Sequence, residues 1–467
     1  MSDNNRKYYG QISLSLMCNL RHKFCFQTAF STSRLRDDIL YEKLLPLYPQ
    51  IGALRILGGE PTVIPGIREY LLFLRKNNPQ MEIEIITNGV LLDESWVDFL
   101  IENKISMQMS VNGISPDTFR KIMLTGNPEK LRKHIYKNLA YAVEQQRRHE
   151  DVVLINCISM VVNDDTKDDL DDFMCYALEN GLNVTLQFPN SNSMEITEEY
   201  EKIAEKILLI QYYCADFIQV VAYSIPDFVK ERVSGEIGRG IHAQDKASFL
   251  EKAEKRKSLS TMKMFLYCHG FDYQGCCEMP TYGFCIQADG SVYPCNNTMS
   301  YPLGNLYFDN LDEIMSGSKR RTLQKQLHEN NYQYCYSRCN HNPYPETSDD
   351  RSCIAYEFPY KKAFLAGDYG AALQLYEAVK DTSLYGSAEM YEHAYCLHVT
   401  NTDLEQAVTL YSKALKAGFD AFWVRYNRAD ACLRMGKEQE AREDIRAAYA
   451  LNPQHKGIQE MYEKMIG

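Results

Sequence analysis

The sequence QISLSLMCNLRHKFC, residues 11–25, joins an apolar stretch to a short loop that carries Cys18, His22 and Cys25. The apolar part, residues 11–17, predicts a strand, and the three side chains follow it at positions i, i+4 and i+7. Thiolate and imidazole groups are ligands for transition metals, and three ligands on one loop can hold three irons of a cubane cluster. The alternative is two buried cysteines beside a surface histidine.

Five more strand-like segments follow, and each of the six precedes a helical pattern: 11–17, 53–57, 82–87, 105–111, 152–162 and 184–188. Such alternation predicts an α/β fold with a parallel sheet and right-handed crossovers. Periodicity does not distinguish an open sheet from a partial barrel. In either case ligands are expected at the carboxyl ends of the strands.

The composition is that of a globular protein. The 467 residues include 51 Lys and Arg against 62 Asp and Glu, a net charge of −11, which argues against nucleic acid or an anionic membrane as partner. The first ten residues, MSDNNRKYYG, show no apolar signal segment, and we expect a cytoplasmic protein. In a reducing compartment the 15 cysteines predict thiols, metal ligands or catalytic groups rather than disulfides.

A second motif, Gly58-Gly59-Glu60-Pro61, ends the second predicted strand. Glycines allow close approach to the backbone, and a carboxylate can accept hydrogen bonds from an ammonium group. Alone, this motif is also consistent with a simple turn.

Together the two motifs resemble the radical S-adenosylmethionine (radical SAM) superfamily. The resemblance also includes Thr87-Asn88-Gly89 and Ser110-Val111-Asn112-Gly113, where Asn112 replaces the usual Asp, and it covers about residues 8–220. It implies a partial (β/α)6 barrel with a SAM-binding [4Fe–4S] cluster. By carry-over, Cys18, His22 and Cys25 would hold the cluster, and the remaining motif residues would contact SAM: Gly58, Gly59, Glu60, Ser110 and Asn112.

His22 stands where the family has cysteine. Imidazole ligands raise the reduction potential of a cluster, which makes reductive cleavage of SAM harder. Three interpretations are open. His22 binds iron in a working enzyme, another group completes the cluster, or the site is degenerate and the protein is a non-catalytic scaffold.

A cysteine-rich segment between Cys268 and Cys353 resembles the SPASM or twitch extension of radical SAM proteins. The resemblance implies auxiliary [4Fe–4S] clusters. A first one would take Cys268, one of Cys276 and Cys277 (we choose Cys277), Cys295 and Cys339. Cys335 and Cys353 match ligands of a second, but the pair that completes it is missing, so one auxiliary cluster is expected. The alternative is a zinc site, since four thiolates suit zinc equally well.

Two other residues of the cysteine-rich segment, Cys285 and Asn296, are not interpreted as metal ligands. We interpret Cys285 as a packing residue of a short strand. Asn296 stands where sulfatase-modifying relatives carry a catalytic Asp, and because Asn cannot act as a general base, sulfatase maturation is disfavoured.

The C-terminal part repeats with a period near 34 residues. Ala407 and Ala441 are 34 apart, as are Ala414 and Ala448, and Ala372 lies 35 before Ala407. Small residues at this period resemble tetratricopeptide repeats, with two lone helical hairpins as the alternative. The predicted domains are a core (8–225), a helical linker (226–265), a small cysteine-rich α+β Fe–S region (266–355) and an all-α repeat array (360–467).

The expected function is that of a radical SAM enzyme that cleaves SAM to a 5′-deoxyadenosyl radical and abstracts hydrogen from a peptide or protein side chain. The helical repeats would bind that substrate, and an electron donor is required. One alternative is the scaffold protein already described. Another is a radical SAM enzyme that acts on a small molecule.

Overall fold

The computed structural model describes residues 8–25, 34–124, 126–187, 197–223, 225, 227–242, 244, 246, 249, 277, 279–298, 301–335, 358–382 and 384–467. It divides the chain into two compact units, Met1–Ile354 and Ala355–Gly467. No helix in these ranges is long and apolar enough to cross a membrane.

The first unit is built on a ten-stranded sheet in the order β10-β9-β8-β1-β2-β3-β4-β5-β6-β7. The strands are β1 (Tyr8–Ser13), β2 (Ile51–Leu57), β3 (Glu82–Thr87), β4 (Ile105–Ser110), β5 (Ile155–Val161), β6 (Val184–Gln187), β7 (Val220–Tyr223), β8 (Gly283–Ile286), β9 (Ser291–Tyr293) and β10 (Gly304–Asn305). Strands β1 to β7 are parallel to one another, and β8 is parallel to β1. Strand β9 is antiparallel to both β8 and β10. The predicted α/β class with a mostly parallel sheet is confirmed.

The helices of this unit connect the strands. They are α1 (Ile67–Asn77), α2 (Glu94–Glu102), α3 (Pro116–Ile122), α4 (Pro128–Arg148), α5 (Leu170–Asn180), α6 (Glu198–Tyr213), α7 (Asp227–Gly238), α8 (Met279–Tyr282), α9 (Leu311–Ser316) and α10 (Ser318–His328). A π-helical turn, Ile39–Lys43, stands where a regular helix over residues 38–48 was predicted.

The limits of several strands differ from the prediction, including β2, predicted over 53–57, and β5, predicted over 152–162. Strand β1 starts at Tyr8 and ends at Ser13, so residues 14–17 belong to the loop. Strand β7 was not predicted, because four apolar residues do not distinguish a strand from a helix. Gly304 and Asn305, predicted to lie in a turn, form β10.

Strands β1 to β7 follow one another in sequence order and are all parallel. Right-handed crossovers between strands that always advance in one direction place their helices on one face of the sheet. That face is apolar and closed, with Ile12, Ile56, Met107, Ile158 and Leu186 all fully buried. Among the residues that the structure describes, the other face has no crossover helix.

The second unit contains helices α11 (Pro359–Leu365), α12 (Tyr369–Val379), α13 (Ser387–Val399), α14 (Leu404–Lys416), α15 (Ala421–Arg434), α16 (Glu438–Leu451) and α17 (Lys456–Met465). The alanines of the 34-residue period are fully buried: Ala372, Ala407, Ala414, Ala441 and Ala448. Small side chains allow the helices to approach closely, which is what the period predicted. The helical content agrees with the prediction, and the tetratricopeptide family and the predicted domain boundaries stay predictions.

Candidate active site

The cysteine loop, defined as residues 14–25, follows β1 at the carboxyl edge of the sheet. Its start is bonded to the end of β2, since Leu14 N–H donates to Leu57 C=O at 2.9 Å. Its later part is bonded to the end of α3, where Lys23 N–H donates to Ile122 C=O at 2.8 Å, and His22 forms a β-bridge with Met123, the next residue. The fold therefore fixes both ends of the loop.

Cys18, His22 and Cys25 are all half-buried on this loop. Burial raises the pKa of the Cys18 thiol, and the Leu20 N–H, 3.4 Å from Cys18 Sγ, opposes that shift because it stabilises the thiolate. Burial lowers the pKa of His22 to about 4, so the imidazole is neutral at pH 7. Neutral imidazole is the form that binds metal.

The donor atoms of Cys18, His22 and Cys25 do not all lie within 4.8 Å of one another. Within the described ranges, one set of three His, Cys or carboxylate side chains has all donor atoms within 4.8 Å, and it is Glu205, Glu236 and His242. In that set Arg232 Nη1 lies 2.8 Å from Glu205, so a guanidinium already compensates the carboxylate. In an iron–sulfur cluster each iron takes its own protein ligand, so the loop's donors can lie further apart.

Because Gly58 and Gly59 have no side chains, the cysteine loop can pack directly against their backbone. Gly59 N–H donates to Ser15 C=O at 2.8 Å, and Glu60 N–H donates to Met17 C=O at 2.7 Å. A Cβ atom on Gly59 would lie 2.0 Å from the Met17 carbonyl oxygen, and one on Gly58 would lie 2.6 Å from that of Ser15. Any side chain at either position would push the cysteine loop away.

Glu60 is almost fully buried, and its carboxylate joins the loop after β2 to the end of β3 and the loop that follows β3. Its Oε1 accepts from Thr62 N–H at 3.1 Å, from the Thr62 hydroxyl at 2.6 Å and from the Thr87 hydroxyl at 2.8 Å. Its Oε2 accepts from Asn88 N–H at 2.7 Å. Burial raises the pKa of Glu60, and these hydrogen bonds oppose the shift. The carboxylate is thus engaged by the chain's own donors rather than held ready for an ammonium group.

The loops after β3 and β4 complete the edge. The Asn88 side-chain amide donates to Asn19 Oδ1 at 2.8 Å, which links the loop after β3 to the cysteine loop. Asn112 is buried and its Oδ1 accepts from Val161 N–H at 3.1 Å, so it joins β4 to β5. Ser110 is half-buried, with its hydroxyl 3.4 Å from that of Ser159.

The described part of the cysteine-rich region places three of its predicted ligands. Cys295 Sγ lies 3.3 Å from the Asn297 N–H that donates to it, a contact that stabilises a thiolate. Buried Tyr332 connects the other two, because its hydroxyl accepts from Cys277 N–H at 3.2 Å and its carbonyl accepts from Cys335 N–H at 2.8 Å. Cys268, Cys276, Cys339 and Cys353 lie outside the described residues.

Cys285 is fully buried in β8, and burial raises the pKa of its thiol, which agrees with a packing role. Next to it in register on β1, buried Gln11 donates from its side-chain amide to Asn296 Oδ1. This contact brings the residue after Cys295 against the sheet, and the sequence carried no signal for it.

A buried ion pair on β2 and β3 was also missed. Arg55 Nε lies 2.5 Å from Glu84 Oε2, with the glutamate side chain 0% exposed. Asn156 donates to the other carboxylate oxygen at 2.5 Å. The signal for it was Arg55 inside the otherwise apolar β2 and the alternation of Glu and Ile at the start of β3.

Comparison with known families agrees with these features. Residues 12–177 match the Radical SAM superfamily, and residues 276–340 match SPASM, the iron–sulfur cluster-binding domain. The predicted radical SAM core and SPASM region are thereby confirmed. These domains imply a [4Fe–4S] cluster, SAM and auxiliary iron–sulfur binding.

Among curated proteins, the chain is 25% identical over 190 residues to GTP 3′,8-cyclase of Clostridium botulinum, which covers 39% of this chain and 54% of the relative. It is 30% identical over 125 residues to GTP 3′,8-cyclase of Petrotoga mobilis, which covers 25% and 38%. The chain thus spans about half the length, or less, of these relatives.

Among solved structures, it is similar to Streptococcus suis SuiB bound to S-adenosylmethionine, with 16% identity, a TM-score of 0.46 and coverage of 75% of this chain and 76% of the other. It is also similar to anSMEcpe with bound AdoMet, with 21% identity, a TM-score of 0.46 and coverage of 84% and 98%.

Proposed function

We propose that this protein is a radical SAM enzyme that reductively cleaves SAM and uses the resulting 5′-deoxyadenosyl radical to abstract hydrogen from a peptide or protein side chain. One observation carries the proposal. The loop with Cys18, His22 and Cys25 is locked onto Gly59 and Glu60 by backbone hydrogen bonds, within a region that matches the radical SAM family.

The chain's own residues have distinct roles in this proposal. Cys18, His22 and Cys25 would hold a [4Fe–4S] cluster. The Glu60 carboxylate keeps the surrounding loops in place. The carbonyl oxygens of Gly58 and Gly59 accept none of the backbone hydrogen bonds found outside strands and helices in the described part of the chain. We assign these two acceptors to the ammonium group of SAM.

When bound and reduced by one electron, the cluster supplies the electron that breaks a C–S bond of SAM to give methionine and the 5′-deoxyadenosyl radical. Abstraction of a hydrogen atom would convert that radical to 5′-deoxyadenosine and leave the unpaired electron on the substrate side chain. The electron comes from a low-potential one-electron donor. Ser110 and Asn112, at the end of β4, would contact the remainder of SAM.

The substrate class rests on other parts of the chain. The second unit carries half-buried Tyr391 and Tyr395 and exposed Trp423 on its helices. Tyrosine and tryptophan supply much of the binding area in peptide and protein interfaces. Cys277 and Cys295 would contribute to an auxiliary cluster. The relatives named for GTP match the chain over less than two fifths of its length, so they support the SAM-cleaving core rather than a nucleotide substrate.

We expect the variant Cys25→Ala to lower SAM cleavage by more than about 100-fold, because removing a direct ligand of the cluster costs more than removing a residue that supports one. The protein is reconstituted anaerobically with iron and sulfide, reduced with dithionite and given SAM, and 5′-deoxyadenosine is quantified. Cys175→Ala, a half-buried cysteine on α5, is the matched control and should keep wild-type turnover. Deoxyadenosine from Cys25→Ala at the wild-type rate would refute the proposed function.

A further inference from the structure

The cysteine-rich region contains a buried cation, Arg320 of α10. The side chain is 2% exposed, and its Nη1 donates to the carbonyl oxygens of Pro280 at 2.6 Å and Gly283 at 2.8 Å. Its Nη2 lies 4.0 Å from Met315 Sδ, and its buried Nε has no hydrogen-bond partner in the described part of the chain. Among the same residues, no carboxylate forms an ion pair with it. Arginine is rarely buried in this way, because an isolated charge in a protein interior is costly.

The neighbouring titratable groups do not supply the missing negative charge. Burial lowers the pKa of Arg320 to about 10, so the guanidinium is positive at pH 7, and Tyr8 and Cys285 are the groups that oppose this shift. Burial raises the pKa of the Cys285 thiol well above its usual range, so this thiol is neutral at pH 7. Phenols are uncharged at that pH as well. The described residues therefore leave the charge of Arg320 uncompensated.

Arg320 is bonded to the backbone that connects two predicted cluster ligands, Cys277 and Cys295. Gly283, whose carbonyl it holds, is the first residue of β8 and follows α8, which begins just after Cys277. Strand β9 pairs with β8 and leads to Cys295. A Cβ atom on Gly283 would lie 2.6 Å from the carbonyl oxygen of Pro294, the residue before Cys295. The guanidinium is thus separated from this ligand's backbone by one packed residue.

Hydrogen bonding alone does not account for an arginine at this position. Two carbonyl oxygens require donors, but they do not require a net charge, and they leave the buried Nε unexplained. An iron–sulfur cluster with cysteine ligands carries net negative charge, and one-electron reduction adds another. A buried cation nearby stabilises the reduced cluster more than the oxidised cluster, and so raises the reduction potential.

We propose that Arg320 is the counter-charge of the auxiliary iron–sulfur site, and that it raises the reduction potential of the cluster held by Cys277 and Cys295. This inference rests on the auxiliary cluster of the proposed function and is independent of SAM cleavage.

The test uses the full chain with Cys18→Ala and Cys25→Ala as the parent, so that the SAM-binding cluster does not contribute to the signal. The chain is reconstituted anaerobically with iron and sulfide, and bound iron is quantified. The cluster is then titrated with dithionite and redox dyes, and the electron paramagnetic resonance of its reduced form is recorded. We expect Arg320→Met to lower the equilibrium constant for one-electron reduction by at least about tenfold, which is about 59 mV.

Three further variants separate charge from structure. Arg320→Gln removes the charge but keeps a donor for one carbonyl oxygen, and it should lower the potential with the cluster intact. Arg320→Lys keeps the charge, and its equilibrium constant should stay within about threefold of the parent's. Arg321→Met replaces the exposed neighbouring arginine of α10 and, as the matched control, should not change the potential.

An unchanged potential in Arg320→Met or Arg320→Gln, with iron bound as in the parent, would overturn the inference. So would a parent that binds no iron, or loss of iron binding in both variants, which would make Arg320 a structural residue. The chain with Cys18 and Cys25 intact is assayed for 5′-deoxyadenosine in parallel. Deoxyadenosine with an unchanged potential removes this inference and leaves the proposed SAM cleavage standing, whereas a lowered potential without deoxyadenosine does the reverse.

Discussion

Replacing Glu60 by glutamine is expected to lower the rate of SAM cleavage by roughly 10²-fold, because displaced active-site groups cost about that much. A glutamine oxygen can still accept from Thr62 and Thr87, as Oε1 does now. The side-chain NH₂ of the glutamine would face the Asn88 N–H, which in the wild type donates a hydrogen bond to Glu60 Oε2 at 2.7 Å. Two donors would then oppose each other in a buried position, and the loop after β3 would move.

The loss of this charged hydrogen bond is also expected to lower the free energy of unfolding by about 1.5–3 kcal/mol. Urea unfolding measures the stability, and deoxyadenosine formation after reconstitution measures the rate. Glu69→Gln, an exposed glutamate on α1, is the matched control and should alter neither. If Glu60→Gln kept wild-type stability and turnover, Glu60 would not be the residue that fastens these loops.

The second large effect is expected at the buried ion pair. Arg55→Met leaves the Glu84 carboxylate, which is 0% exposed, without its guanidinium. Removing one partner of a buried pair typically costs about 3–5 kcal/mol, because the remaining charge is uncompensated. We expect a corresponding fall in the free energy of unfolding, measured in urea.

The double variant Arg55→Met/Glu84→Gln tests the cause. Glutamine removes the charge but keeps an oxygen for Asn156, which now donates to the carboxylate at 2.5 Å. The double variant should recover more than half of the stability lost by Arg55→Met. A double variant as unstable as the single one would mean that packing, and not charge, explains the loss.

The parallel α/β class was predictable from the sequence because each of the six apolar segments precedes a helical pattern, whereas the order of the strands in the sheet is not contained in that alternation. The residues at which the strands begin and end were less predictable. Residues 14–17 continue the apolar pattern of β1, yet Leu14 and Met17 bond to the end of β2 and to Glu60, and these tertiary contacts end the strand at Ser13. Local patterning carries no information about contacts between distant segments.

The site was predictable as a set of motifs and not as a network. The motifs placed Cys18, Gly58, Glu60 and Ser110 at one edge of the sheet, and they lie there. That Glu60 holds Thr87 and Asn88 depends on the pairing of β2 with β3, which no spacing shows. The same holds for Arg55 and Glu84, whose contact follows from strand register.

The most direct test of the central claim concerns His22. Wild type, His22→Ala and His22→Cys are reconstituted anaerobically, reduced with dithionite and given SAM, and 5′-deoxyadenosine is measured together with bound iron. The proposed function predicts deoxyadenosine from the wild type and its loss in His22→Ala. No deoxyadenosine from the wild type, with some from His22→Cys, would contradict it and would show a radical SAM fold whose chemistry has been lost.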